Sequence, residues 1–124
     1  FGVSAVLLDS DCCDPLYRKA IRVSVAATLL VPFAQLVPHE DPLALLDRHD
    51  FTATALSPAG ESLLVDWRPA ARTTVLLGAE GPGLSTDLIQ RSHSVRIAMS
   101  SGFDSLNVAT TSGIVLHHIS AHQS

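Results

Sequence analysis

The chain has 124 residues, the size of one domain, and is long enough to bury an apolar core without metal or disulfide staples. Hydrophobic residues make up 47% and charged residues 16%, which excludes a disordered tail, while 5% aromatics leave the core to Val, Leu, Ile and Ala. A net charge of −4, with seven Arg and a single Lys, excludes a polybasic nucleic-acid surface over the whole chain, although Tyr17-Arg18-Lys19-Ala20-Ile21-Arg22 forms a local basic cluster.

The chain opens at Phe1-Gly2 rather than at an initiator Met, so further sequence is expected upstream. Residues 3–8 (VSAVLL) form a continuous apolar run that predicts a buried strand, closed by the turn Asp9-Ser10-Asp11. Cys12 and Cys13 are adjacent and can close only a strained ring, so two free thiols in a reducing compartment are expected. Asp14-Pro15 supplies an N-cap and a first-turn proline. Leu16, Ala20, Val23 and Ala27 then recur near the helical period and predict a helix with a buried face.

Residues 29–36 (LLVPFAQL) read as a second strand, with Pro32 implying an edge or a bulge. The most apolar stretch, residues 23–37, is broken by Ser24, Thr28, Pro32 and Gln35 and falls short of the roughly 20 residues that span a bilayer. A soluble, cytoplasmic protein with no membrane partner is therefore expected. Asp41-Pro42 repeats the cap-plus-proline device and starts a helix to about residue 47. Residues 51–56 (FTATAL) alternate as a strand, and Ser57-Pro58-Ala59-Gly60 turns; residues 61–68 fit neither period and end at Pro69. Residues 73–77 (TTVLL) predict a buried strand. Ser85 caps a helix to about residue 91, residues 94–99 (SVRIAM) form the last strand, and a final helix covers about residues 106–119. Strand-helix alternation without an internal repeat or linker predicts one α/β domain with a mostly parallel sheet.

The strand expected at residues 73–77 runs directly into Gly78-Ala79-Glu80-Gly81-Pro82-Gly83-Leu84. Three glycines in six residues let the backbone turn sharply and admit a ligand close to the main chain. In open α/β sheets ligands sit beyond the carboxyl ends of strands. The spacing is not that of a dinucleotide fingerprint, no Lys-Ser/Thr follows for a P-loop, and the Glu80 carboxylate opposes phosphate. A purely structural turn accounts for this loop equally well. Ile97-Ala98-Met99 ends the next strand, and Asp104-Ser105-Leu106-Asn107-Val108-Ala109 opens the next helix. Ser105 and Asn107 suit helix caps, and they also place polar groups opposite Glu80 at one cleft.

Residues 75–84 (VLLGAEGPGL) resemble motif 2 of the SpoU/TrmH family, and Ile97-Ala98-Met99 with Ser105-Leu106-Asn107-Val108 resembles its motif 3. The opening, residues 1–8 with the Asp14–Ala20 segment (DPLYRKA), is similar to the stretch after the family's motif 1, so the resemblance covers essentially the whole chain. It implies an RNA 2'-O-ribose methyltransferase catalytic domain over residues 1–124, with helices on both sheet faces and a C-terminal trefoil knot. It implies S-adenosylmethionine as cofactor, rRNA or tRNA as substrate, and a homodimer. By this match Leu77, Gly78, Gly81, Ile97, Met99 and Leu106 contact the cofactor, largely through main-chain groups, and Glu80, Ser105 and Asn107 are the catalytic positions. The family's motif 1 Asn and Arg, which serve the attacking hydroxyl, would lie before Phe1 with the first strand and helix, so residues 1–124 alone are expected to be inactive. Two departures are Ala98, where the family usually has Pro, and Ala109, where Ser is common.

The resemblance leaves a second reading from another class, a catalytically silent module that binds cofactor and RNA. A third is a nucleotide-binding α/β domain of unrelated chemistry. The apolar face Ile114, Val115 and Ile119 of the last helix is a candidate dimer interface or, equally, part of the core. His118 and His122 have the i, i+4 spacing of a metal pair within the cluster that includes His117, but no third ligand is evident, so no metal is expected. His39, His49 and His93 are expected in solvent-facing turns.

Overall fold

The computed structural model describes residues 1–103 and 106–123, which fall into two compact units, residues 2–42 and residue 43 onward, with Phe1 counted in the latter.

In the smaller unit, β1 (Val6–Leu8) pairs in parallel with β2 (Phe33–Gln35), Val6 opposite Phe33 and Leu8 opposite Gln35. Both strands are shorter than predicted. Proline has no N–H to give to a ladder, so β2 begins only after Pro32, whose carbonyl accepts from the Val6 N–H at 2.9 Å. Asp14 accepts from the Leu16 N–H at 2.8 Å, yet α1 (Arg18–Val23) starts later and stops after six residues. Val25 and Ala26 adopt left-handed φ of 52° and 64°, which a continuing right-handed helix forbids. A separate 3-10 turn, Ala27–Leu29, follows. The long helix predicted from Leu16 to Ala27 is thus corrected. Its apolar face does not form, since no residue of α1 is buried and Leu16 and Val23 are exposed. Cys12 and Cys13 are free, exposed thiols.

The larger unit follows the prediction more closely. It holds α2 (Pro42–Arg48), β3 (Thr52–Leu56), β4 (Ser62–Leu63), β5 (Thr73–Leu76), α3 (Thr86–Gln90), β6 (His93–Arg96) and α4 (Val108–His122). The sheet order is β4-β6-β3-β5 and every described ladder is parallel, so the α/β class with parallel sheets stands. Ser85 caps α3 as predicted, accepting from the Leu88 N–H at 3.3 Å. The segment that fitted neither period supplies β4 and then a turn that buries Trp67.

Trp67, Leu64, Val95 and Val115 form the core of this unit, with Leu56, Val75, Ile97 and Ile119 packed against it. Val115 and Ile119 therefore serve the chain's own core, and of the candidate interface triad only Ile114 is exposed. Gly60 lies under β6, where an added Cβ would meet the Val95 carbonyl carbon at 2.4 Å. Val115 is fully buried midway along α4, so Val115→Ala removes two methyl groups with no solvent to refill the space. We expect it to lower unfolding free energy by about 2 kcal/mol, measured by urea denaturation at unchanged m-value.

Candidate functional site

The site is assembled at the carboxyl ends of β3, β5 and β6, where a parallel sheet opens its crevice. Beyond β5 the chain folds back on itself: Ala79 and Gly83 bridge, and the Gly83 N–H donates to the Ala79 carbonyl at 3.0 Å. Gly81 and Gly83 hold left-handed φ of +88° and +68°, the conformation that favours glycine. Gly78 is needed for a different reason. A Cβ there would lie 2.3 Å from both the Gly83 carbonyl carbon and the Leu84 nitrogen, so the two limbs of the loop close only without a side chain.

β6 leads into Ile97 and Met99, both half-buried, and Asn107 is the N-cap of α4. β3 ends beside β6, where the Ser57 N–H donates to the Val95 carbonyl at 3.0 Å. Between these ends lies a cavity of about 740 Å³, a size suited to a small-molecule ligand. Leu77, Gly78, Glu80, Gly81, Ile97, Met99, Leu106 and Asn107, all expected at the site, line this one cavity. Ser105 lies outside the described residues.

Sequence reasoning missed a third wall, Leu56, Ser57 and Pro58, and the α4 residue Thr111. The turn after residues 51–56 was visible, and the carboxyl-end rule applied to that strand would have found it. Thr111 carries no such signal, since one helical turn past a cap many residue types occur.

Asn107 caps α4 and also lines the cavity. Its Oδ1 accepts from the Ala109 N–H at 2.8 Å and the Thr110 N–H at 3.4 Å, which is helix capping. That leaves the Nδ2 donors without an intramolecular partner among the described residues, on a side chain that lines the cavity. Glu80 is exposed at the same cavity. The walls are mostly apolar (Leu56, Leu77, Ile89, Val95, Ile97, Met99), with Ser57, Glu80, Asn107 and Thr111 as the polar side chains.

The histidines of α4 are turned to other uses. His118 Nε2 is 2.9 Å from the Trp67 carbonyl and its ring stacks on Trp67 at 5.8 Å, while His122 Nδ1 is 2.7 Å from the His118 carbonyl. Among the described residues no group of three His, Cys, Asp or Glu is placed to hold a metal. His39 and His49 lie exposed in turns; His93 is exposed as expected but is the first residue of β6 rather than part of a turn. No described helix is long and apolar enough to cross a membrane.

Comparison with known proteins gives a consistent set of likenesses. The SpoU rRNA Methylase family model matches residues 1–117. An uncharacterized tRNA/rRNA methyltransferase of Mycobacterium bovis is 41% identical over 121 residues, covering 94% of this chain and 42% of that protein. One from Synechocystis is 31% identical over 123 residues, covering 98% of this chain and 45% of its own length. The chain thus spans less than half the length of these curated relatives. An AdoMet-bound rRNA methyltransferase from Sinorhizobium meliloti superposes with a TM-score of 0.87 at 23% identity, over 99% of this chain and 48% of that one. The SpoU methyltransferase AviRb from Streptomyces viridochromogenes, in complex with AdoMet, superposes at 0.81 with 21% identity, over 94% and 46%. At these identities the superpositions establish the shared fold.

Proposed function

Because this chain belongs to the SpoU rRNA Methylase family, we propose that it binds S-adenosylmethionine in the cavity beyond β3, β5 and β6 and serves methyl transfer to a ribose 2'-hydroxyl of rRNA or tRNA. The observation that carries this reading is the convergence of eight expected site residues on one cavity of about 740 Å³. The residues present fit the cofactor. Gly78 brings bare backbone to the cavity wall, where any side chain would collide with the loop itself. Leu77, Ile97, Met99 and Leu106 offer apolar surface for an adenine and a thioether chain, with main-chain groups to read polar edges.

When bound, S-adenosylmethionine supplies an electrophilic methyl group on a sulfonium. The chain's part is positioning. Leu77, Gly78, Gly81, Ile97, Met99 and Leu106 hold the cofactor, and the Asn107 amide and Glu80 carboxylate hold polar groups of the substrate at the cavity. A ribose hydroxyl is a weak nucleophile until a base draws its proton, and in this proposal the base belongs to a motif 1 segment outside residues 1–124. Ser105 is the remaining catalytic position in the proposal. Helices on both sheet faces, a C-terminal trefoil knot, a homodimer and a cytoplasmic location complete the reading.

Ligand that binds only the folded state stabilises it by mass action, by about 2.7 kcal/mol at a hundredfold excess over Kd. We expect saturating S-adenosylmethionine or its demethylated product to raise the melting temperature of the protein by several degrees. Titration calorimetry on the same sample should give one site per chain. An unchanged melting temperature with no heat of binding would sink the assignment. Residues 1–124 alone are expected to show the same shift without transferring tritiated methyl to RNA.

A further inference from the structure

We propose that the exposed face of α1, carrying Arg18, Lys19 and Arg22, is a docking surface for RNA phosphates; this rests on the RNA-methyltransferase reading above. At 3.6 residues per turn, positions i, i+1 and i+4 fall within about 100° of arc, so the three cations share one face of the helix. All three are exposed, and Tyr17 beside them is 47% exposed.

The cations of the larger unit other than Arg48 are occupied differently. Arg68 donates to the Val65 and Trp67 carbonyls, and Arg96 to those of Gly60 and Glu61. Arg72 donates to the His49 carbonyl and lies over the Phe51 ring, and Arg91 pairs with Asp87 at 2.9 Å. Among the described residues only the side chains of Arg18, Lys19, Arg22 and Arg48 carry a fixed positive charge with no hydrogen bond or ion pair, and three of these four sit within five residues. None of the described acidic residues just upstream forms an ion pair with them: Asp9 and Asp14 accept from the backbone N–H groups of Asp11 and Leu16, and Asp11 is exposed.

Folding does not account for this placement. Like charges at Arg18 and Arg22 repel across i, i+4, and Arg18 and Lys19 in the first turn oppose the helix dipole, which Arg22 alone favours from the last turn. The helix is only six residues long, has no acidic residue in its first turn and no side-chain cap. A chain of net charge −4 thus gathers three of its four unpaired cations on one short helix, two of them in the first turn where they weaken it. A polyanion laid along that face would relieve the repulsion and release its own counterions, and Tyr17 offers a ring on which a base can stack.

The test is fluorescence anisotropy of a fluorescein-labelled tRNA transcript with the intact protein over a range of KCl. The triple variant Arg18→Ala/Lys19→Ala/Arg22→Ala should bind about tenfold or more weakly. Its plot of log Kd against log[KCl] should be shallower by about 2 to 3, from roughly 0.7–0.9 per phosphate contact. Arg18→Lys/Arg22→Lys, which keeps the charge, should retain the wild-type slope, as should Arg48→Ala. The melting temperature and its shift with S-adenosylmethionine should be unchanged in the triple variant, which separates lost contacts from lost fold. A triple variant with wild-type Kd and slope overturns the α1 surface and leaves the RNA reading standing. A wild-type protein that shifts with S-adenosylmethionine but binds neither this transcript nor a labelled rRNA fragment overturns both.

Discussion

Gly78→Ala is expected to raise the dissociation constant for S-adenosylmethionine by about a hundredfold or more, the scale on which a 1 Å misplacement disables a site. The added Cβ would lie 2.3 Å from the Gly83 carbonyl carbon and the Leu84 nitrogen, and these are backbone atoms with no rotamer to yield. Relief requires the two limbs of the 78–84 loop to separate, and both limbs line the cavity. The neighbouring glycines give the control. Gly81 and Gly83 have open space around a new Cβ, so Gly81→Ala or Gly83→Ala meets only the left-handed backbone penalty of roughly 1–2 kcal/mol. Calorimetric titration of the three variants should therefore rank Gly78→Ala far below the other two. Near-wild-type affinity for Gly78→Ala, with circular dichroism showing a folded protein, would mean that the closed loop does not shape the site.

Asn107 carries the second large expectation. Asn107→Asp keeps an acceptor for the Ala109 and Thr110 N–H groups, so α4 should stay capped and cofactor affinity should stay close to wild type. It removes the Nδ2 donors, and methyl transfer by the intact protein should fall about a hundredfold, the usual cost of one preorganised donor, with the loss in kcat. Asn107→Ala should show the same kcat loss plus about 1 kcal/mol of lost stability from the missing cap. Rapid-quench turnover and thermal melts of both variants separate the two roles. If Asn107→Asp transfers methyl at the wild-type rate, the residue is a cap and nothing more.

The parts of the protein legible in its sequence are those where a local interaction decides the outcome. Ser85 before α3 and the Asp41-Pro42 start of α2 are cap devices read within four residues, and both helices begin where expected. The alternation of residues 51–56 and the apolar run of residues 73–77 read as strands from side-chain period and composition, and both form, as β3 and β5. The 78–84 loop was visible from glycine spacing alone, though the distinct need for Gly78 was not. Its constraint comes from Gly83 and Leu84 folding back on it, whereas Gly81 and Gly83 answer to their own φ angles.

Elsewhere the local signal was overruled. The pattern Leu16, Ala20, Val23, Ala27 is sound helical periodicity, yet left-handed Val25 and Ala26 cut the helix after Val23, and no spacing rule registers a φ reversal at Val and Ala. Trp67 lay in a stretch without period, and only the arrival of Val95 and Val115 from distant segments makes it core. Ser57 joins the site because β3 and β6 are neighbours in the sheet, a fact of strand order. By itself the sequence marked the α/β alternation and the residues of two motif loops, since periodicity, caps and glycine spacing are read between near neighbours in the chain. Tertiary structure alone decided that those loops, with the end of β3, enclose one cavity, because strand order and burial depend on contacts between residues far apart in sequence.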